Sequence, residues 1–345
     1  MRRGAVAMVV GGVVASAVGI ALALAIDWFP TLASTQAGKV HTLYDVLLIA
    51  SVPIFVLVLT VVIGAVIQFR MRPGQEDQDG PPIHGNTLLE VVWTAVPALL
   101  ILGLCAYSYV VLRDIEEAPA SERQEMTIGV TGQQFAWTFT YPKEIAGGEK
   151  PLSTTELVLP VDRPVKFDIQ AKDVIHDFWV PEFSVKLDAV PGITTSYRIT
   201  PDRRGTYPVV CAELCGLGHS VMRSRVRVVT PDEFDAWLQE QSQPAVPEGA
   251  DESQLAAAGK QVFAGSAGCG ACHTLADAGT NGQIGPDLDE VLKGVSEDKI
   301  RTDIVDPEAE IAEGYGAGVM PTNFEQTLSA SELDALVAYL KEATQ

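Results

Sequence analysis

The chain has 345 residues, 47% of them hydrophobic, and a formal net charge of −20 at neutral pH. That length accommodates two or three domains, and the hydrophobic share exceeds what a single soluble domain needs. A surface this acidic repels nucleic acid, and no phosphate-cradling glycine loop, nucleophile triad or hydrolytic carboxylate pair supports a nucleotide-binding or hydrolase reading.

The apolar residues gather in the first third, where residues 1–112 hold five Lys or Arg and six Asp or Glu. Residues 1–26 begin with Arg2 and Arg3 and end in the small residues Ala21, Ala23 and Ala25, and they read equally as a cleaved signal peptide or a first transmembrane helix. Residues 46–67 and 91–112 each run 22 positions without a charge. About 20 residues at 1.5 Å each cross the ~30 Å hydrocarbon core, so residues 40–112 are expected to form a transmembrane helical hairpin. Basic flanks stay cytoplasmic, so Arg2, Arg3, Arg70 and Arg72 place everything after Leu112 outside the membrane. Thr87 and Glu90 form a TxxE capping box that would start the second helix of the hairpin.

Residues 113–241 alternate short β-branched and aromatic runs with Gly, Pro and Asp turns, a rhythm that predicts a β-sandwich or barrel closed by a helix from Pro231. Residues 242–253, with Pro244, Pro247 and Gly249, read as an extended linker. Residues 254–345 show helical spacing at both ends of a Gly-rich middle, which predicts a small all-α domain. The acidity is concentrated there: residues 251–345 hold 17 acidic and 5 basic side chains, against 16 and 14 in residues 113–230.

Two constellations carry chemistry. Cys211-Ala-Glu-Leu-Cys215-Gly-Leu-Gly-His219-Ser-Val-Met222 packs two thiols, an imidazole and a thioether onto one loop, and His176 on an earlier strand supplies a second imidazole. Soft thiolate and thioether donors with imidazole favour copper, and two bridging thiolates with one histidine per metal make a binuclear centre. A local disulfide and a zinc site compete with this reading, but the first leaves His176, His219 and Met222 unexplained and the second has no use for methionine. Cys269-Gly-Ala-Cys272-His273 matches the CxxCH attachment sequence of covalent haem c. After His273 the chain has no other histidine and a single methionine, Met320, which is therefore the expected second axial ligand.

The copper loop, the strand His176-Asp-Phe-Trp-Val-Pro181 and the turn Lys186-Leu-Asp188-Ala-Val-Pro191-Gly192 resemble subunit II of cytochrome c oxidases over residues 44–230. The resemblance implies a cupredoxin-like domain whose CuA ligands are His176, Cys211, Cys215, His219, Met222 and the Glu213 carbonyl, with the Glu213 side chain helping to hold magnesium against subunit I. It also implies a proton-uptake role for Glu90, alongside the capping role. In the segment where the family commonly shows an aromatic run that accepts electrons from soluble cytochrome c, this chain has Phe135-Ala136-Trp137, a departure that weakens the expectation of a docking site there. Residues 251–345 resemble class I cytochromes c, and Gly285-Pro286 resembles the segment that braces the haem and its histidine. The combination resembles the fused subunit II of caa-type oxidases.

The implied protein is a prokaryotic plasma-membrane, multi-pass oxidase subunit with its copper and cytochrome domains outside. It would take electrons from cytochrome c or a bc complex and work with subunits I and III in proton-coupled reduction of oxygen to water. A CuA-containing nitric oxide or nitrous oxide reductase component and a membrane-anchored electron shuttle are the alternatives.

Overall fold

The computed structural model describes residues 2–71, 73–74, 82, 84–118, 125–147, 151–242, 250–265, 267–322 and 324–345; most of the expected linker, like Arg72, lies outside them. The chain divides into two bodies, Met1–Pro30 with Ala37–Glu117, and Thr31–Gln36 with Ala118–Gln345.

The first body contains α1 (Arg2–Ala25), α2 (Thr35–Phe69) and α3 (Thr87–Glu116). All three are long and apolar enough to cross a membrane, and their apolar windows are 0% buried within the protein. Such surfaces need lipid or another apolar partner around them. A Cβ at Gly19 would stand 2.8 Å from Val52 Cγ1, so the missing side chain lets α1 and α2 approach closely.

The cap of α3 differs from expectation. Asn86, not Thr87, is the N-cap: its side chain accepts the Leu89 N–H at 3.1 Å, and Glu90 Oε1 accepts the Asn86 N–H at 3.1 Å. Asparagine caps at least as well as threonine, and starting one residue earlier still lets Glu90 reach back to an orphan amide.

In the second body, β1 (Met126–Gln133), β2 (Ala136–Tyr141), β3 (Leu152–Thr154), β5 (Val165–Ala171) and β8 (Thr195–Ile199) form one sheet in the order β3-β2-β1-β5-β8. The other is β4-β10-β9-β6-β7, made from β4 (Leu157–Pro160), β6 (His176–Val180), β7 (Val185–Ala189), β9 (Gly205–Cys211) and β10 (Arg223–Val229). Strict alternation of buried and half-buried positions along β1 and β2 lays one side of that sheet on a core of Met126, Ile128, Phe139, Phe167 and Phe178. Tyr141 ties the sheets together, since its hydroxyl donates to the Val158 carbonyl at 3.0 Å and accepts the Val158 N–H at 2.8 Å.

The one-turn α4 (Lys143–Ala146) follows β2, and against Tyr141 pack Trp237 and Phe234 of α5 (Pro231–Ser242), with ring centroids 5.1 and 6.3 Å away, which closes this end of the sandwich. The stretch between α1 and α2 also belongs to this body. Ala33 is fully buried, its N–H donates to the Glu182 carbonyl at 2.9 Å, and the Thr35 N–H donates to Thr200 at 3.0 Å.

The C-terminal domain is built on α6 (Glu252–Ala264) and α10 (Ala330–Ala343), each opened by a capping box, Asp251 with Gln254 and Ser329 with Glu332. Around them lie α7 (Leu288–Val291), α8 (Glu297–Val305), α9 (Phe324–Thr327) and a minimal ladder of β11 (Thr274–Leu275) with β12 (Thr280–Asn281). The two long helices touch at Gly259, where a Cβ would fall 1.9 Å from the Ala335 carbonyl oxygen. Gly259→Ala gains up to about 1 kcal/mol in helix propensity, but meeting rigid backbone costs about 1–3 kcal/mol. We expect a net loss of stability, seen as a lower midpoint for thermal unfolding of the helical domain.

Candidate copper and haem centres

Strand pairing assembles the first site. β6 and β9 are antiparallel neighbours, with Phe178 opposite Cys211, which brings His176 at the start of β6 beside the end of β9. From Cys211 the chain makes a loop that returns to the sheet when the Cys211 N–H donates to the Met222 carbonyl at 3.2 Å. Within the loop, Gly216 has φ +132°, a conformation only glycine adopts readily, and a Cβ at Gly218 would lie 2.4 Å from the Phe135 ring. The two glycines let the loop close down on that ring.

The candidate donor atoms lie close together. Cys211 Sγ lies 3.8 Å from Cys215 Sγ, 4.0 Å from His176 Nδ1 and 3.2 Å from the Glu213 carbonyl oxygen. Cys215 Sγ lies 3.7 Å from His219 Nδ1 and 3.8 Å from Met222 Sδ. Both cysteines are free, and their separation is nearly twice the ~2.05 Å of a disulfide. His176 and Met222 are fully buried, so the site is dry on its inner side.

Charge points to a cation. Burial alone would raise the Cys211 thiol, but hydrogen bonds with His176, the Asp177 and Glu213 main chain and His219 together outweigh it and bring the thiol down to about 7. Cys215 is pushed up to about 12, first by burial and then by the neighbouring Cys211 thiolate. Two facing sulfurs cannot both ionise without positive charge beside them, and soft metal ions supply it. Two thiolates, two imidazoles, a thioether and a carbonyl therefore fit copper.

Asp173, which the sequence reading missed, orients this set. Its Oδ1 takes His176 Nε2 at 2.9 Å, leaving Nδ1 for a metal, while its oxygens also accept the N–H groups of Gln134 and Val174, each at 2.7 Å. Burial opposes ionisation of Asp173, yet these hydrogen bonds outweigh it and hold the carboxyl below its usual range. The signal was present as an Asp three residues before the histidine, with nothing local to set it apart from a turn aspartate. Asp173→Ala should weaken copper binding about 10- to 100-fold, the usual cost of losing a ligand's own support, as measured by chelator competition.

Phe135 is 7% exposed and Trp137 1%, with Trp137 packed edge-on to His176 at 6.0 Å and to Phe178 at 5.5 Å. Neither ring is presented at the surface. Beside the loop, Asp177 is pushed up to about 6 by burial; Lys186, 3.8 Å away, pulls it down, while Asp188 and Glu213 push it further up. Glu213 thus adds its negative charge to that of Asp188 around Asp177.

The second site forms on one helical turn, in which the Cys272 and His273 N–H groups both donate to the Cys269 carbonyl, at 3.1 and 3.0 Å. This turn brings Cys269, Cys272 and His273 together. His273 Nδ1 donates to the Pro286 carbonyl at 2.9 Å, and a Cβ at Gly285 would stand 2.4 Å from the imidazole, so the Gly-Pro segment fixes the ring and leaves Nε2 free for iron. Burial lowers the His273 pKa, keeping the imidazole neutral, and it pushes the Cys269 thiol up to about 12. Met320 is half-buried against the helical-domain core that also contains Phe263, Leu288 and Leu336. These residues fit a haem attached through two thioethers.

Three family models match the chain: "Cytochrome C oxidase subunit II, transmembrane domain" over residues 21–111, "Cytochrome C oxidase subunit II, periplasmic domain" over 147–229, and "Cytochrome c" over 256–344. Cytochrome c oxidase subunit 2 of Alkalihalophilus pseudofirmus is 33% identical over 313 residues, covering 87% of this chain and 85% of its own length. The subunit 2 of Thermostichus vulcanus is 35% identical over 258 residues, covering 60% of this chain and 76% of its own. The crystal structure of the periplasmic domain of cytochrome oxidase subunit II from Bradyrhizobium japonicum is 29% identical, with a TM-score of 0.33, and covers 37% of this chain and 98% of that one. The chain belongs to the cytochrome c oxidase subunit 2 family, as a fusion of the caa type in which a cytochrome c domain follows the copper domain, and is a component of an oxidoreductase complex.

Proposed function

We propose that this chain is the electron-accepting subunit of a haem-copper oxidase, taking electrons into its cytochrome domain and delivering them from its copper domain to subunit I. The observation that carries the reading is the convergence of four further donors, from His176, Glu213, His219 and Met222, on the Cys211 and Cys215 sulfurs. His176, Cys211, Cys215, His219, Met222 and the Glu213 carbonyl would hold two copper ions, and Cys269, Cys272, His273 and Met320 would hold haem c. When bound, these groups supply two one-electron carriers in series. Asp173 keeps His176 in the orientation that a metal needs, and Pro286 does the same for His273. The stiff, buried setting of Cys211 and Met222 limits rearrangement on electron uptake.

Oxygen reduction and its coupled proton translocation belong to subunit I, since residues 46–67 and 91–112 contain no histidine to hold a catalytic metal. The Glu213 carboxylate, grouped with Asp177 and Asp188, suits a magnesium ion shared with that partner. Glu90 caps α3 and, in the assembled oxidase, also serves at a proton inlet. Close packing at Gly19 supports α1 as a retained membrane helix.

The bonding of residues 31–36 to Glu182 and Thr200 of the sandwich supports a reading in which the α1–α2 connection and the copper domain share one side of the membrane. With Arg2, Arg3 and Arg70 at the other helix ends, that side is the extracytoplasmic one. A prokaryotic plasma membrane, a subunit III and a cytochrome c or bc-complex donor complete the proposal.

A tagged chain purified from its native membrane should bring down a large haem-bearing subunit, in a complex that consumes oxygen when supplied with reduced c-type cytochrome. Recovery of the chain alone would contradict the proposal. Consumption of nitric or nitrous oxide without oxygen would replace it with the reductase alternative.

A further inference from the structure

The turn between β3 and β4 joins the sandwich to the helical domain. Thr155 Oγ1 donates to the Gly265 carbonyl at 3.0 Å. A Cβ at Gly268 would lie 2.9 Å from Thr155 Cγ2, and Gly268, with φ +62°, immediately precedes Cys269. One threonine side chain thus touches both Gly265 and Gly268, on the approach to the haem-attachment turn. Ile284 and Val319, which adjoin Gly285 and Met320, pack against the sandwich core.

The turn is held from behind. Ser224 Oγ donates to the Thr155 carbonyl at 2.5 Å, and Thr154 Oγ1 donates to the Glu156 carbonyl at 2.8 Å. The Glu156 carboxylate is paired with Arg225 at 3.1 Å and Arg227 at 3.0 Å. Ser224, Arg225 and Arg227 all lie on β10, which begins directly after Met222 and pairs with β9, the strand that ends at Cys211. The hydroxyl offered to Gly265 is therefore fixed to the same sheet that carries the copper loop. A donor fixed in advance loses little freedom on binding, so its hydrogen bond is not offset by ordering.

We propose that Thr155 is a positioning residue that docks the haem-binding domain onto the copper-site sheet, holding the haem-attachment turn in register with strands that end in copper ligands. The purpose assigned to this contact rests on the electron-transfer reading above; the contact itself is between protein groups. Its character is a neutral hydrogen bond with apolar packing, even though the docked domain is strongly acidic, so docking should be insensitive to salt.

The test is hydrogen exchange, read by mass spectrometry on the full chain in detergent, over segments 151–160 and 262–272. Thr155→Val keeps the shape and removes the hydroxyl; exchange should rise about fivefold in both segments, the effect of one ordinary hydrogen bond. Thr155→Ser should restore the wild-type pattern, and raising the salt should change neither. With copper and haem loaded, the rate of haem-to-copper electron transfer after flash reduction should fall in Thr155→Val while both cofactor spectra stay unchanged. Unchanged exchange in Thr155→Val, or a serine variant as loose as the valine one, would overturn the proposal. Should Thr155→Val fail to fold, Ser224→Ala loosens the turn from the sandwich side alone, and the absence of any rise over 262–272 would then overturn it. Failure of the cofactor reading would show separately, as missing copper or haem signals in protein whose exchange pattern is intact.

Discussion

Cys215→Ser should reduce electron delivery to the oxidase by more than about 100-fold, above the range expected when only a ligand's support is lost. Cys215 Sγ stands within 3.8 Å of Cys211 Sγ, His219 Nδ1 and Met222 Sδ, so it is the atom that joins both halves of the site. A serine hydroxyl is a hard donor that stays protonated, and it cannot bridge two soft metal ions. The variant should fold, because the swap is nearly isosteric, though a buried hydroxyl with poorer partners costs about 1–3 kcal/mol. Copper analysis should then find at most one ion per chain, with oxygen uptake by the assembled complex close to background. Two ions per chain with near-normal uptake would show that the second thiolate is not a bridge.

Met320→Leu should leave the haem attached and change its behaviour. Leucine nearly conserves volume, so the contact with the helical-domain core survives and the fold should lose less than about 1.5 kcal/mol. Loss of the thioether would remove the sixth haem ligand that we propose Met320 to be, and with it the rise in potential that methionine confers. We expect a fall on the order of 100 mV, a fraction of the ~0.8 V that axial ligands span. The methionine-to-iron charge-transfer band should vanish, and the variant should accept electrons from a c-type donor more slowly. Retention of that band would assign the sixth position to another group and remove Met320 from the site.

Much of both sites was legible because their ligands sit at short, fixed spacings. Cys269, Cys272 and His273 share one helical turn, and Cys211, Cys215, His219 and Met222 share one loop, so local geometry brings each group together. His176 was harder: it lies 35 residues from Cys211 and meets it only because β6 pairs with β9. What stayed hidden depends on distant pairing with no local signature. Ala33 reaches Glu182 through main-chain groups, which any residue could supply. Thr155 looks like an ordinary turn threonine until the helical domain is placed against it. Asp173 reads as a loop residue, and its role appears only with the rotation of the His176 ring.

The cap at α3 teaches the same lesson on a smaller scale. Thr87 with Glu90 satisfies the capping pattern, yet Asn86 with Glu90 satisfies the amides, and only the backbone conformation at Asn86, φ −149° and ψ 98°, distinguishes them. Membrane helices were the most readable element because lipid requires long uncharged runs, whatever the helices pack against.

The most direct test of the copper assignment is electron paramagnetic resonance of the copper-loaded full chain, with metal content measured on the same sample. One unpaired electron coupled equally to two copper nuclei, with two copper ions per chain, is the predicted result. A spectrum from a single copper nucleus, with one ion per chain, would contradict it.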